Sequence, residues 1–145
     1  MDRGLAVLLT ASVGGLIALQ APINAGLGRT TGNVAAAFVS FLVGTLLLAA
    51  LVAVAGQAGG LDGAVHVEWY HLLGGVLGVA YVYTVLVTVS TIGAGAVAAA
   101  TVTGQLTASV IIDRAGILGL EEQPLTPERI AGVVLLLVGT YLVVR

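Results

Sequence analysis

The stretch Asn33-Val34-Ala35-Ala36-Ala37-Phe38-Val39-Ser40-Phe41-Leu42-Val43-Gly44-Thr45-Leu46-Leu47-Leu48-Ala49-Ala50-Leu51-Val52-Ala53-Val54-Ala55-Gly56 holds no charged residue, no proline and no alternation of polar with apolar positions. A helix of about 20 residues, rising 1.5 Å per residue, crosses the hydrocarbon core of a bilayer. Inside lipid every backbone N–H and C=O needs a partner within the protein, which leaves helices and closed barrels. Barrel strands alternate apolar and polar side chains, and this stretch does not. It reads as a transmembrane helix, and the rest of the chain shares its character. Of 145 residues, 59% are hydrophobic and 8% charged, with a mean hydropathy of +1.12, whereas soluble domains carry about a quarter charged residues. The expected fold class is all-α integral membrane, with a single membrane domain over 1–145.

Working outward from that helix gives five spans. The first covers about 4–27 and ends at the polar turn Gly28-Arg29-Thr30-Thr31-Gly32. Arg3 precedes it, but the apolar run exceeds the roughly 7–15 residues of a signal-peptide core, so it is expected to be a retained helix. The second, about 33–56, starts at Asn33 as an N-cap. A glycine-rich connection then leads through His66 and Glu68 to Trp69-Tyr70, aromatic anchors at the mouth of a third span over about 69–91. Ser90-Thr91-Ile92-Gly93-Ala94-Gly95 is uncharged and carries two glycines, which marks a tight hairpin into a fourth span over about 95–113. After a polar loop, Thr126-Pro127-Glu128 offers an N-cap, a proline at N1 and a first-turn acid to a fifth span over about 127–144.

Several function classes drop out. There is no cysteine, hence no disulfide, thiolate metal site or thiol nucleophile. The 5 basic residues are all arginine and are dispersed, so nucleic acid is not the partner. No span holds a His/Asp/Glu cluster, and no serine has a base at suitable spacing, so no catalytic residue, metal or cofactor is expected. Gly93-Ala94-Gly95-Ala96-Val97-Ala98 fits G-x-G-x-x-A with Asp113 downstream, but the unbroken apolar run over 96–112 leaves no room for the second strand of a dinucleotide-binding unit. His66 and His71 read as ordinary interfacial anchors.

Polar residues inside a span have lost water and need a partner or a cavity. Gln20 and Asn24 lie four apart on one helix face, with Pro22 between them removing a backbone donor and bending the helix. They form either a polar notch facing the interior or an interhelical hydrogen-bonded lock. Thr101, Gln105, Ser109 and Asp113 recur at four-residue steps, a row that lines a pathway unless the hydroxyls bond their own i−4 carbonyls. Gln105 is expected to approach the Gln20/Asn24 notch. Of the two tyrosines in the third span, Tyr81 shares a face with Gly74 and Gly78 and is the interior candidate, ahead of Tyr83. Ala36/Ser40/Gly44, Gly74/Gly78 and Ala100/Gly104 read as close-packing positions, and Gly132 with Gly139 as a contact face on the fifth span. Asp113, with Arg114 beside it, is either a coupling group or a paired interfacial charge.

The segments Gly15 to Gly28, with Leu19-Gln20-Ala21-Pro22-Ile23-Asn24-Ala25, Ser40-Phe41-Leu42-Val43-Gly44, Gly74-Gly75-Val76-Leu77-Gly78 and Gly104-Gln105-Leu106-Thr107-Ala108-Ser109 together resemble the YdcZ-like family of half-size, five-helix members of the drug/metabolite transporter superfamily. The likeness extends to Asp113-Arg114-Ala115-Gly116 and to Gly132 through Gly139. It implies an exporter fold in the bacterial plasma (inner) membrane, in which two five-helix chains supply the two inverted repeats of a ten-helix transporter. The related four-helix multidrug transporters use a glutamate in the first helix; here that span offers Gln20 and Asn24 and no acid.

The expectation is therefore a membrane transporter or exporter of a small polar molecule, working as an antiparallel homodimer by alternating access. Gln20, Asn24, Tyr81, Gln105 and Ser109 would contact substrate. A passive channel on the same dimer and a non-transporting assembly subunit are the rival classes. Five spans place Arg3, Arg114 and Arg129 on one side and Arg29 and Arg145 on the other, a difference of one residue that specifies orientation weakly: either the bias, with Arg3 near the first helix, gives N-inside insertion, or the chain inserts both ways and pairs antiparallel.

Overall fold

The computed structural model describes residues 2–117 and 121–145, and those residues form helices and turns with no strand. The helices are α1 (Arg3–Thr31), α2 (Asn33–Val54), α3 (Leu73–Ala115) and α4 (Pro127–Val144), with 3-10 segments at Ala58–Val65 and Trp69–Leu72. All four α-helices are long and apolar enough to cross a membrane. Their large apolar side chains are mostly exposed, among them Leu8, Leu16, Ile23, Leu46, Leu77 and Leu135, which suits lipid as the surrounding solvent. α3 has 43 residues and a break at Gly93, where φ is 80° and ψ is 160°. Unbroken it would reach about 65 Å, roughly twice a hydrocarbon core, so it counts as two spans divided at that glycine.

The chain forms two compact units, Met1–Ser90 and Thr91–Arg145. In the first, the Asp2 carboxylate caps α1 by accepting from the N–H groups of Gly4 and Leu5. α1 then runs four residues beyond the expected 27, through the whole Gly28–Thr31 segment to Thr31. The turn shrinks to Gly32 alone, with φ 84° and ψ 153°, and its N–H donates to the Gly28 carbonyl at 2.8 Å. Gly32, not Asn33, is the cap of α2. Glycine adopts that region without a Cβ clash, so one residue ends a helix and begins the next. Gly28 packs closely: a Cβ there would lie 2.9 Å from the Asn33 side-chain oxygen, which would have to move, and in ordinary contact with Leu86 at 3.6 Å and Ala36 Cβ at 3.7 Å.

The interior of this unit is built from Ala36, Ala37, Val82 and Leu86, with Ala25, Leu27, Phe41 and Tyr81 packed around them. Small residues let the backbones come together, as the sequence implies for Ala36 and Gly78; the Phe41 ring lies against Gly78, 3.4 Å from where a Cβ would be. In lipid such contacts act through dispersion. Trp69 is exposed and meets Tyr70 edge-on at 6.3 Å between ring centroids, in keeping with an anchor role.

In the second unit the hydroxyls of Thr103 and Thr140 bond to each other, with the Leu136 carbonyl 3.3 Å from Thr103 Oγ1 and the Ala99 carbonyl 3.1 Å from Thr140 Oγ1; having one proton each, one hydroxyl donates to its carbonyl and accepts from the other. The face that α3 turns to α4 therefore runs through Ala99 and Thr103, one position from the expected Ala100 and Gly104, which are exposed. Hydroxyls that cross-link carbonyls bind helices more specifically than bare small residues do. α4 begins as its sequence indicates: Thr126 Oγ1 accepts from the Arg129 N–H at 3.4 Å and Pro127 takes the first turn.

Candidate functional site

Helical spacing puts Gln20 and Asn24 on one side of α1, and in the first unit that side opens on a crevice shared with Ile17, Tyr81, Val85 and Leu86. Asn24 is only 7% exposed, Gln20 is exposed and Tyr81 is partly buried. Among the described residues none of these three side chains has a hydrogen-bond partner, and no enclosed side-chain N or O atom is orphaned. The Asn24 amide thus reaches the crevice with two donors and a carbonyl oxygen unspent. The space is small, about 10 Å³ for the centres of water-sized groups, which holds about one water.

α1 continues through Pro22, whose ring faces outward. Proline supplies no N–H, so the Ala18 carbonyl, one turn earlier, lacks its usual donor. Tyr83 is 44% exposed and belongs to a different feature, an apolar groove of about 420 Å³ lined with Val34, Phe38, Phe41 and Val79. The structure therefore brings together Gln20, Asn24 and Tyr81, and keeps Tyr83 apart from them.

Gln105 and Ser109 lie on an exposed face of α3 in the second unit. Thr10, Ser12, Thr84, Thr88 and Thr107 all return their hydroxyls to the carbonyl one turn back. Among the described residues Ser109 does not, and the Gln105 amide is likewise unpartnered. The row at four-residue steps has the right period, but its neighbour on the helix, through Thr103, makes the contact with α4. Thr140 was the missed signal: it is the lone hydroxyl between Ala131 and the tyrosine at 141, and an isolated polar group in an apolar span needs a partner.

The charges at the span ends are paired differently from their sequence neighbours. Asp113 meets Arg129 at 3.4 Å, both about one-third exposed, and Arg114 meets Glu122 at 3.5 Å. The Asp113 carbonyl also accepts from the Gln123 N–H at 2.9 Å, which ties the loop to the helix end. Among the described residues no group of three His, Cys, Asp or Glu side chains is placed to hold a metal. Gly132 and Gly139 are half-buried, and a Cβ on either would meet nothing within 4 Å.

Residues 5–142 match the family model described as "Putative inner membrane exporter, YdcZ". No curated protein and no solved structure matches the chain.

Proposed function

The chain belongs to the YdcZ family of inner-membrane exporters, and from that premise we propose that it moves a small polar molecule across the bilayer by alternating access, as two copies inserted in opposite orientations. The exporter family and the multi-pass apolar helices support a membrane transporter. The observation that carries the finer reading is the unpartnered Asn24 amide facing a crevice with Gln20 and Tyr81. A polar group without a partner in lipid costs several kcal/mol, so such an arrangement is retained where something polar visits. A crevice with room for about one water cannot enclose a metabolite; a second chain is needed to complete the wall.

Gln105 and Ser109 remain cargo-contacting positions in this proposal, since neither spends its polar group on the protein. Pro22 supplies a flexible point in α1 through the free Ala18 carbonyl. Gly132 and Gly139 offer the flat strip that a second copy covers. The test is transport by purified chain in vesicles: Asn24→Ala and Gln105→Ala should each lose saturable flux while the dimer persists on crosslinking. Flux unchanged in both variants would remove these residues from the pathway. Linear, unsaturable flux would favour a channel on the same architecture.

A further inference from the structure

We infer that the cargo is uncharged and that its passage is not coupled to protons, so that the chain is an electroneutral facilitator running down the gradient of its own cargo. This rests on the transporter reading above and specifies its substrate class and energetics.

The observation is where the charges lie. Of the 7 acidic residues, Asp2 caps α1, Asp62 belongs to the first 3-10 segment, Glu68 precedes the second, Glu121 and Glu122 precede α4, and Glu128 stands in its first turn. Asp113 alone is set inside α3, two residues from its end, and it is held by Arg129. Arg29 stands in the last turn of α1 and Arg145 follows α4. His66 and His71 belong to the connection before α3. The middle of every span is therefore free of carboxylate, imidazole, ammonium and guanidinium groups.

A cation brought to the Gln20/Asn24/Tyr81 crevice would shed its hydration and meet no counter-charge, a large cost in a low-dielectric setting. Two amides and a phenol instead offer donors and acceptors together, the complement of amide, hydroxyl or nucleoside groups. Val85 and Leu86 supply an apolar wall. Proton coupling requires a group that binds and releases a proton on the cargo's route. Asp113, anchored at a helix end by an arginine and by the loop, is placed as a structural clasp.

The experiment uses the full chain in phosphatidylethanolamine–phosphatidylglycerol vesicles, with xylitol, acetamide and uridine as uncharged probes and tetraphenylphosphonium and ethidium as cations. Saturable counterflow of an uncharged probe is expected, at a rate unchanged by an imposed pH gradient or potassium diffusion potential, with neither cation moved faster than in protein-free vesicles. Asn24→Asp, nearly isosteric, should depress that counterflow and make it pH-dependent by placing an acid in the crevice. Cation accumulation rising about tenfold per pH unit, as exchange of one proton gives, would overturn the inference and leave the transporter reading intact; its loss in Asp113→Asn would identify the coupling group. No flux of any probe, neutral or cationic, above that of protein-free vesicles would count against both.

Discussion

Asn24 and Thr103 are both nearly fully buried polar residues in apolar helices, and they differ in what their side chains do. Thr103 spends its hydroxyl on Thr140 and the Leu136 carbonyl, whereas the Asn24 amide has no protein partner. The contrast separates a structural polar group from a candidate binding one, and it yields opposite expectations. Thr103→Val and Thr140→Val should each lower stability by about 0.6 kcal/mol per lost interhelical contact. Their double mutant should lose less than the sum, read by thermal unfolding in detergent. Asn24→Leu, by contrast, removes a group that binds nothing within the chain, so melting should hold or rise while transport falls; a fall in melting as steep as that for Thr103→Val would make Asn24 structural. Sequence spacing was enough to identify the Gln20/Asn24 face, because i and i+4 share a face whatever the tertiary context. It was not enough to choose between Thr101 and Thr103, since neighbouring rows on one helix have the same period and only packing selects between them. The partners of Asp113 and Arg114 were illegible for a similar reason: ion pairs across a loop depend on how the loop closes.

At the level of elements, Gly32 and Gly93 adopt almost the same backbone conformation, φ 84° and ψ 153° against φ 80° and ψ 160°. That region is essentially confined to glycine, and other residues held there cost of order 1–3 kcal/mol. Gly32→Ala and Gly93→Ala should therefore each destabilise the folded chain by that amount. Gly14→Ala, in mid-helix with nothing within 4 Å of the added Cβ, should be neutral or stabilising, since alanine is the better helix former by about 1 kcal/mol. Comparable melting for all three variants would show that the two breaks carry no strain. Both breaks were visible in the sequence as glycines between apolar runs. The boundary at Gly32 was misjudged because Arg29, Thr30 and Thr31 look like loop residues, although each is compatible with a final helical turn and arginine favours a helix C-terminus. The α4 start was legible to the residue, since Thr126, Pro127 and Glu128 each favour their position for separate physical reasons.

For the whole molecule, the near balance of arginines between span ends leaves orientation weakly specified, and the proposed antiparallel pair follows from that balance together with the incomplete crevice. Two lysines added after Arg145 should drive insertion one way and abolish transport, and co-expression of a copy biased the other way should restore it. Full activity from a population that C-terminal reporters show to be uniformly oriented would end the antiparallel model. The absence of cysteine permits a complementary measurement: mixed Gly132→Cys and Gly139→Cys chains should cross-link to each other more readily than either does to itself, because inversion brings the start of one α4 beside the end of another. The helices also bury little of their apolar surface within the chain, and this sets how the protein responds to temperature. The heat capacity of unfolding comes from apolar area newly exposed to water, about 12–15 cal/mol/K per residue in soluble domains. Helices that separate within a bilayer exchange one another's contacts for lipid and wet almost nothing. Calorimetry in bicelles should accordingly find a heat-capacity step far below the soluble value, with a stability curve that is nearly straight and shows no loss of fold on cooling.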